Sequence, residues 1–435
     1  MSALRAVPGA GLVALVQLGI RSGALRHPLA ARNAARRGLP GVISLAARRN
    51  RDAVALLRGD ETVTAGQLDD EVRSLTVALA RVRGARVGVR SDGGIGFVVT
   101  LAAAIDAGGD VVPLGPRLAP ADLAALGLAQ VLEPRRGTAR SVGSRNLRST
   151  SGRSGRLLLL TTGTTGTPVA TARGRMPVRA LAQLADADRR VGLPHGPLLL
   201  LAPPDHGHGL STLLGAMLHG IPVILAAGLS VNEQVALVER HHPVSISGVP
   251  AQLARLVDAD GIRTARVIVS GSAPLPAELR TRLEAGGAVV HDGFGSTQTG
   301  TFAIDGRLVA GVRLRTAPDG SLEVRTPLGA SRWIATGDRV DVRGGRLHAT
   351  GRVGSLVDSG GELVDPARLR RLLSEHPGVA CAEVRVVPDD LLGAVLHARV
   401  DADPALETAL RDAFAAQLSR AEHPRRLEFG PIAAD

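Results

Sequence analysis

The sequence holds no lysine and no tyrosine, one cysteine, and only six aromatic residues in 435. Each scarcity excludes something. Without lysine no Schiff base or lysine-clamped phosphate is available, and all 52 basic side chains are arginine. The lone Cys381 cannot close an intramolecular disulfide, and no Cys/His spacing fits a structural zinc, so a stapled secreted fold and a zinc ribbon are both excluded. A reducing, cytoplasmic setting follows. Six aromatics supply no stacking platform for single-stranded nucleic acid. Membrane-length apolar runs are also missing. Ala6 to Ile20 carries no charge but is 15 residues long, short of the roughly 20 that span a bilayer. His206 to Asn232 is longer, but Gly220-Ile221-Pro222 breaks it, which predicts a buried helix over Leu210–Leu218 followed by a buried strand over Val223–Leu225.

What is present is a globular composition, 45% hydrophobic and 21% charged, long enough for two or three domains. The net charge of +12 is unevenly placed: ten Arg against one Asp lie between Met1 and Arg58, and seven Arg with no acid between Arg135 and Arg156, leaving the remainder mildly acidic. A nucleic-acid protein would spread its basic face through the folded body, so no nucleic-acid partner is expected. Two readings of the first 45 residues stand. One is a helix packed on the body. The other is a basic apolar arm making peripheral contact with an anionic membrane surface through Leu12 to Leu18 and the arginines that follow. Cleavage as a signal peptide after Ser22-Gly23-Ala24 is a lesser alternative.

Helical patterns alternate with short aliphatic runs. Gln67–Val82, Phe97–Ala107, Glu233–His241, Ala251–Val257 and Ala277–Ala285 read as helices. Arg86–Val89, Asp110–Pro113, Leu157–Leu160, Leu198–Leu201 and Val267–Val269 read as buried strands. That alternation predicts parallel sheet covered on both faces. From Arg307 on, short strands with Gly-rich turns take over, and a small α+β unit starts near Arg352. The Arg-, Ser- and Gly-rich stretch 134–156 reads as a basic flexible loop.

Several strand ends carry chemistry. Leu157 to Leu160 runs into Thr161-Thr162-Gly163-Thr164-Thr165-Gly166-Thr167-Pro168, a loop whose hydroxyls and free N–H groups could hold phosphate, although the Gly-Lys-Ser/Thr ending of a Walker loop is absent. Ser270-Gly271-Ser272-Ala273-Pro274 and Gly293-Phe294-Gly295-Ser296-Thr297-Gln298 follow strands, where ligands of open α/β sheets bind. Asp338 could accept from ribose hydroxyls and Arg352 could meet a phosphate. Taken singly, each of these is equally a turn residue, a packed aromatic or a solvated charge.

In this order, together with Thr62-Val-Thr-Ala-Gly-Gln-Leu, Asp110-Val-Val-Pro-Leu-Gly-Pro, Asp205-His206-Gly207-His208-Gly209-Leu210 and Ser359-Gly360-Gly361-Glu362, they closely resemble the adenylate-forming superfamily, specifically its acyl-CoA synthetases. The resemblance runs from about Ala46 to Phe429. It implies an α/β fold: a large N-terminal domain over 46–351, of doubly wound mixed sheets with a small β-barrel-like part, and a small, truncated α+β C-terminal domain over 352–435. It also implies an acid–thiol ligase that adenylates a hydrophobic, fatty carboxylate with ATP and Mg²⁺ and then transfers the acyl group to CoA. By matching position, Thr161 to Thr167 would hold the β- and γ-phosphates, while Gly271, Ser272, Ala273, Phe294 and Gly295 would form the adenine slot. Thr297 would lie near the α-phosphate, Asp338 on the ribose, Arg352 on the ribose–phosphate, and His206 at the acyl pocket. Thr164 and Gln298 would be the magnesium ligands, and Gly360 and Gly361 would line the thiol channel. A metal site at His206 and His208 lacks a third ligand.

The sequence also departs from that pattern. Val169-Ala170 stand where the phosphate loop has Lys-Gly, Gln298 stands for a magnesium-binding glutamate, Gly354 for a polar hinge residue, and the family's C-terminal catalytic lysine has no counterpart before the chain stops at Asp435. Slow adenylation is expected unless an arginine substitutes. The alternative is a degenerate homologue that binds nucleotide or acyl-adenylate, or regulates a partner, without full turnover. Oligomeric state is not readable from the sequence.

Overall fold

The computed structural model describes residue 34 and residues 36–116, 118–136, 155–162, 168–173, 178–329, 332–354, 356–390 and 392–432. The N-terminal stretch read as an arm lies mostly outside these, as do residues 163–167 and 137–154.

A nine-stranded sheet forms the centre. Its middle strands, Val267–Gly271, Ser245–Gly248, Leu198–Leu200, Val223–Leu225 and Val54–Arg58, run parallel, and antiparallel strands close both edges. A second, five-stranded sheet is ordered Gln130–Leu132, Arg86–Arg90, Asp110–Leu114, Leu157–Thr162, Pro168–Arg173, with the last pairing antiparallel. Between them lies the Ile95–Asp106 helix, apolar on all sides and buried at ten of its twelve residues, as a helix covered from both faces must be. Phe97, Leu101 and Ile105 each remove a full side chain from water there, about 1.5–3 kcal/mol apiece.

The predicted elements are present, with ends set by local chemistry. The helix expected from Gln67 begins at Ala65, because Thr64 caps it: its hydroxyl accepts from the Gln67 N–H at 3.2 Å, while the Gln67 side-chain oxygen Oε1 accepts from the Thr64 N–H at 2.9 Å. The helix expected over Leu210–Leu218 spans Gly207–His219. Pro203 and Pro204 hold off an earlier start, and Gly220, left-handed at φ 67°, ends it. No helix among the described residues is long and apolar enough to cross a membrane. The Leu39–Arg49 helix crosses the expected arm boundary at 45 and buries Leu39, Val42, Ile43 and Leu45 in the main core.

After the central sheet come a three-stranded sheet (Arg313–Thr316, Leu322–Arg325, Trp333–Ala335) and a hairpin of Asp338–Arg343 with Arg346–Arg352, sharing a core around Phe302, Val309 and Val324. The chain then builds a small sheet on which the Pro366–Ser374 and Glu407–Gln417 helices pack through Leu369, Leu373, Leu410 and Phe414. This small unit is tied back to the large one by Arg368, whose guanidinium donates to Asp122 Oδ1 at 2.8 Å and to Glu422 Oε2 at 3.4 Å, all three side chains being largely buried.

Candidate active site

A cavity of about 1550 Å³ opens beyond the carboxyl ends of the central strands and is roofed by the small unit. At one end, the hairpin register places Asp338 opposite Arg352. The Arg352 guanidinium donates to the Asp338 carboxylate and to Thr336 O at 2.8 Å, and the Thr336 hydroxyl accepts from the Asp338 N–H at 3.1 Å. Burial pushes the Asp338 carboxyl up, and the guanidinium pulls it back. Thr297 and Gln298 reach the same space from the end of the Val289–Ser296 strand, and Ser272 from the end of Val267–Gly271 with a left-handed backbone, φ 72°.

At the other end stands the His206–Gly209 segment. His206 is half exposed on the cavity wall, with Nδ1 2.8 Å from Asp205 Oδ2. Burial would raise the Asp205 carboxyl, but the His206 imidazole and the Ser91 hydroxyl outweigh it and hold it below the usual carboxylate range. The helix starts hard against the preceding chain: a methyl group on Gly209 would fall 2.1 Å from Pro203 O. One residue earlier, His208 turns inward. Its Nε2 lies 3.1 Å from Ser247 Oγ, and burial lowers its imidazole to about 4, so the ring is neutral near pH 7.

The small unit contributes a third wall. Gly361, at φ 88°, faces Val249 and Ser272 so closely that a methyl group on it would lie 3.1 Å from Val249 Cγ1 and 3.6 Å from Ser272 Cβ. Its N–H donates to Asp358 Oδ1 at 2.9 Å. Burial, with Asp338 and Glu362 nearby, pushes the Asp358 carboxyl up to about 6, against the pull of the Gly361 N–H and Arg352.

Of the residues singled out in the sequence, the structure gathers His206, Ser272, Gly295, Thr297, Gln298, Asp338, Arg352 and Gly361 around one cavity. Among the described residues, its lining does not include Ala273, Phe294 or Gly360. Phe294 packs instead on Phe302, ring centroids 4.7 Å apart, and Gly271 lies behind His208. Thr161 and Thr162 end the Leu157–Thr162 strand; Gly163, Thr164, Thr165, Gly166 and Thr167 lie outside the described residues. The protein side fits a magnesium ion poorly. Gln298 offers one neutral, exposed amide, and no group of three His, Cys, Asp or Glu able to hold a metal occurs among the described residues. Sequence reasoning missed His208, Asp358 and the Arg368–Asp122 pair. His208 sits inside a motif already noticed and Asp358 directly before one, but only helix phase and domain placement turn them toward the cavity.

This architecture, a parallel-centred double sheet with a small closing unit over the strand ends, is that of the adenylate-forming enzymes. A model of the AMP-binding enzyme family matches residues 43–127 and 136–364, and the chain belongs to that family. The 2-succinylbenzoate–CoA ligase of Bacillus subtilis is 26% identical over 240 residues, covering 46% of this chain and 49% of its own. The sulfoacetate–CoA ligase of Cupriavidus necator is 27% identical over 324 residues, 63% of either chain. The chain thus spans about half to two thirds of the length of the curated relatives it matches. Among solved structures, o-succinylbenzoate CoA synthetase from Bacillus subtilis superposes with a TM-score of 0.74 at 21% identity, covering 90% of this chain and 95% of that one. A malonyl-CoA ligase holding methylmalonyl-CoA and AMP superposes with a TM-score of 0.68 at 25% identity, covering 88% and 97%.

Proposed function

We propose that the protein is an acyl-CoA synthetase: it joins a small-molecule carboxylate to the α-phosphate of ATP with loss of pyrophosphate, then passes the acyl group to the thiol of CoA with loss of AMP. The observation that carries this reading is the single cavity in which the Asp338–Arg352 pair, Ser272 and Thr297 face the His206 segment. Asp338 has the acceptor oxygens for ribose hydroxyls. Arg352, already hydrogen-bonded and part-buried, needs little reorganisation to meet phosphate charge. Thr297 Oγ1 lies 3.5 Å from where a methyl on Gly207 would stand, which supports a reading with the α-phosphate side next to the acyl side. The Gly361 wall is where a thiol would enter. The relatives named above act on succinylbenzoate and sulfoacetate, so the support reaches CoA ligation in general and not a fatty acid in particular.

A second reading is favoured by Val169, where the phosphate loop of the family has lysine, and by the neutral Gln298: a protein that performs thioester formation from a supplied adenylate, or only binds it. Removing one preorganised donor aimed at developing charge commonly costs about 10²–10³ in rate. ATP–pyrophosphate exchange over a panel of acids, run beside conversion of a supplied acyl-adenylate and CoA to thioester, decides between them. Exchange above background supports the full synthetase, thioester without exchange supports the half-reaction, and failure of both with AMP still bound leaves a binding protein.

A further inference from the structure

Thioester formation needs a proton removed, because the thiolate and not the thiol is the nucleophile. Most acids and histidines of the cavity are already engaged. Asp338 faces the Arg352 guanidinium, Asp122 and Glu422 face Arg368, Asp205 is paired with His206, and burial lowers His208 to about 4. His423 Nε2 lies 3.2 Å from Phe414 O. Asp358 is placed differently. It is the middle residue of the short Val357–Ser359 strand, lines the cavity, and stands at the base of the turn that carries Gly361. Its Oδ1 accepts from the Gly361 N–H at 2.9 Å, whereas its Oδ2 has no hydrogen-bond partner among the described residues.

The charged groups that face Asp358 are Arg352 and Asp338 from the hairpin and Glu362 across the turn. Arg352 already donates to Asp338 and to Thr336 O, while burial and the two other carboxylates push the Asp358 carboxyl up to about 6. Such a carboxylate is about a hundredfold stronger base than one at the ordinary 3.8, yet it is still ionised at neutral pH, the combination a general base needs. Its position agrees. The turn held by Oδ1 brings Gly361 against Val249 and Ser272, the wall where the thiol is proposed to enter, so this carboxylate shares that wall and faces the Asp338–Arg352 pair. An ionised Asp358 also costs the fold stability at neutral pH, a pattern that clusters at functional sites.

We propose that Asp358 is the general base of thioester formation. Its carboxylate takes the proton of the CoA thiol, and the sulfur forms a bond to the acyl carbonyl carbon of the adenylate. The bond from that carbon to the phosphate oxygen breaks, and its electron pair leaves on AMP. The proton passes from Asp358 to solvent after the products depart. The inference rests on the CoA-ligase reading above and assigns the proton acceptor of its second half-reaction.

The test supplies acetyl-, butanoyl- and benzoyl-adenylate with CoA to the full chain and follows thioester formation from about pH 5 to pH 9. The parent rate should rise through an ionisation near 6 and then level. Asp358→Asn should lower the rate about 10²-fold at roughly pH 7. With no base left, it should then follow the thiol's own ionisation and recover more than about tenfold toward pH 8.5. Asp358→Glu keeps a carboxylate and should retain the acidic limb. AMP affinity, read by calorimetry, should not fall in either variant, which separates a lost proton transfer from a damaged nucleotide site. An Asp358→Asn rate within about threefold of the parent's, or one that still rises near 6, overturns the inference and leaves the ligase reading standing. An acidic limb that vanishes in His206→Asn and survives in Asp358→Asn places the base at the acyl end and also overturns it. A parent chain that forms no thioester from any of the three adenylates fails at the ligase reading, and the inference falls with it.

Discussion

The two ends of the cavity solve the problem of burying polarity in opposite ways. At the hairpin end, charge is met by charge: Asp338 and Arg352 face each other across two strands, and each has a further hydrogen bond to Thr336. At the helix end the buried Asp205 carboxylate is met by the His206 imidazole, with no arginine opposite it among the described residues, and the next histidine is neutral. Burial has stripped His208 of its proton, and its partners are hydroxyls. An ion pair prepared in advance suits a ligand part that never changes, such as a ribose and its phosphate. A neutral ring held by a hydroxyl suits a part that must be chosen among similar molecules.

Perturbing each end should break this contrast in a characteristic way. The largest effect is expected for Asp338→Ala, which removes the proposed ribose acceptor and leaves Arg352 without its countercharge. AMP affinity measured by calorimetry should fall about 10- to 100-fold, as for loss of a hydrogen bond to a charged group. Gln298→Glu sharpens the hairpin side by restoring a charged oxygen ligand. Under the synthetase reading, pyrophosphate exchange at limiting magnesium should rise about tenfold, while no change would favour the non-catalytic reading. Asp358→Asn probes the small unit where it meets the hairpin. The folded carboxyl titrates near 6, above its ordinary 3.8, so the native state holds that proton more tightly than the unfolded chain. Its favourable contribution is complete below 3.8 and is lost as pH rises through 6. The amide should therefore stabilise the protein by about 1–2 kcal/mol at roughly pH 7.5 and by almost nothing at roughly pH 4, read from urea unfolding. Smallest of all is Arg51→Ala. Its pair with Asp70 is more than half exposed on both sides, and unfolding should register less than about 1 kcal/mol.

Much of this was legible in advance where one local rule decides. The Thr64–Gln67 cap, the Gly220 stop and the all-apolar Ile95–Asp106 helix are written in contiguous residues. The hairpin pair was legible as chemistry, since Asp338 and Arg352 could be named, but not as a mutual contact, because register joins residues 14 apart. The packing partner of Phe294 was hidden for a similar reason. A scarce aromatic near a glycine turn reads as a stacking surface, whereas strand pairing sets it against Phe302. His208 was passed over as the second histidine of a motif. Its neighbours Ser247 and Gly271 come from strands 39 and more residues away, and only the assembled sheet makes them a floor. What sequence pattern conveys well is periodicity and capping, and what it conveys poorly is the meeting of side chains from different strands.

The Arg368–Asp122 bridge carries a consequence for how the protein responds to its surroundings. Asp122 is 3% exposed and Arg368 17%, so mobile ions cannot gather around the pair as they do around Arg51 and Asp70. Concentrated salt should erase the surface pairs first and leave the roof over the cavity seated. Swinging that roof aside means returning two desolvated charges to water together, an event with a threshold and no gentle slope. The release of whatever lies beneath the roof is thereby coupled to an ion pair that itself lines the cavity and carries no part of the proposed chemistry.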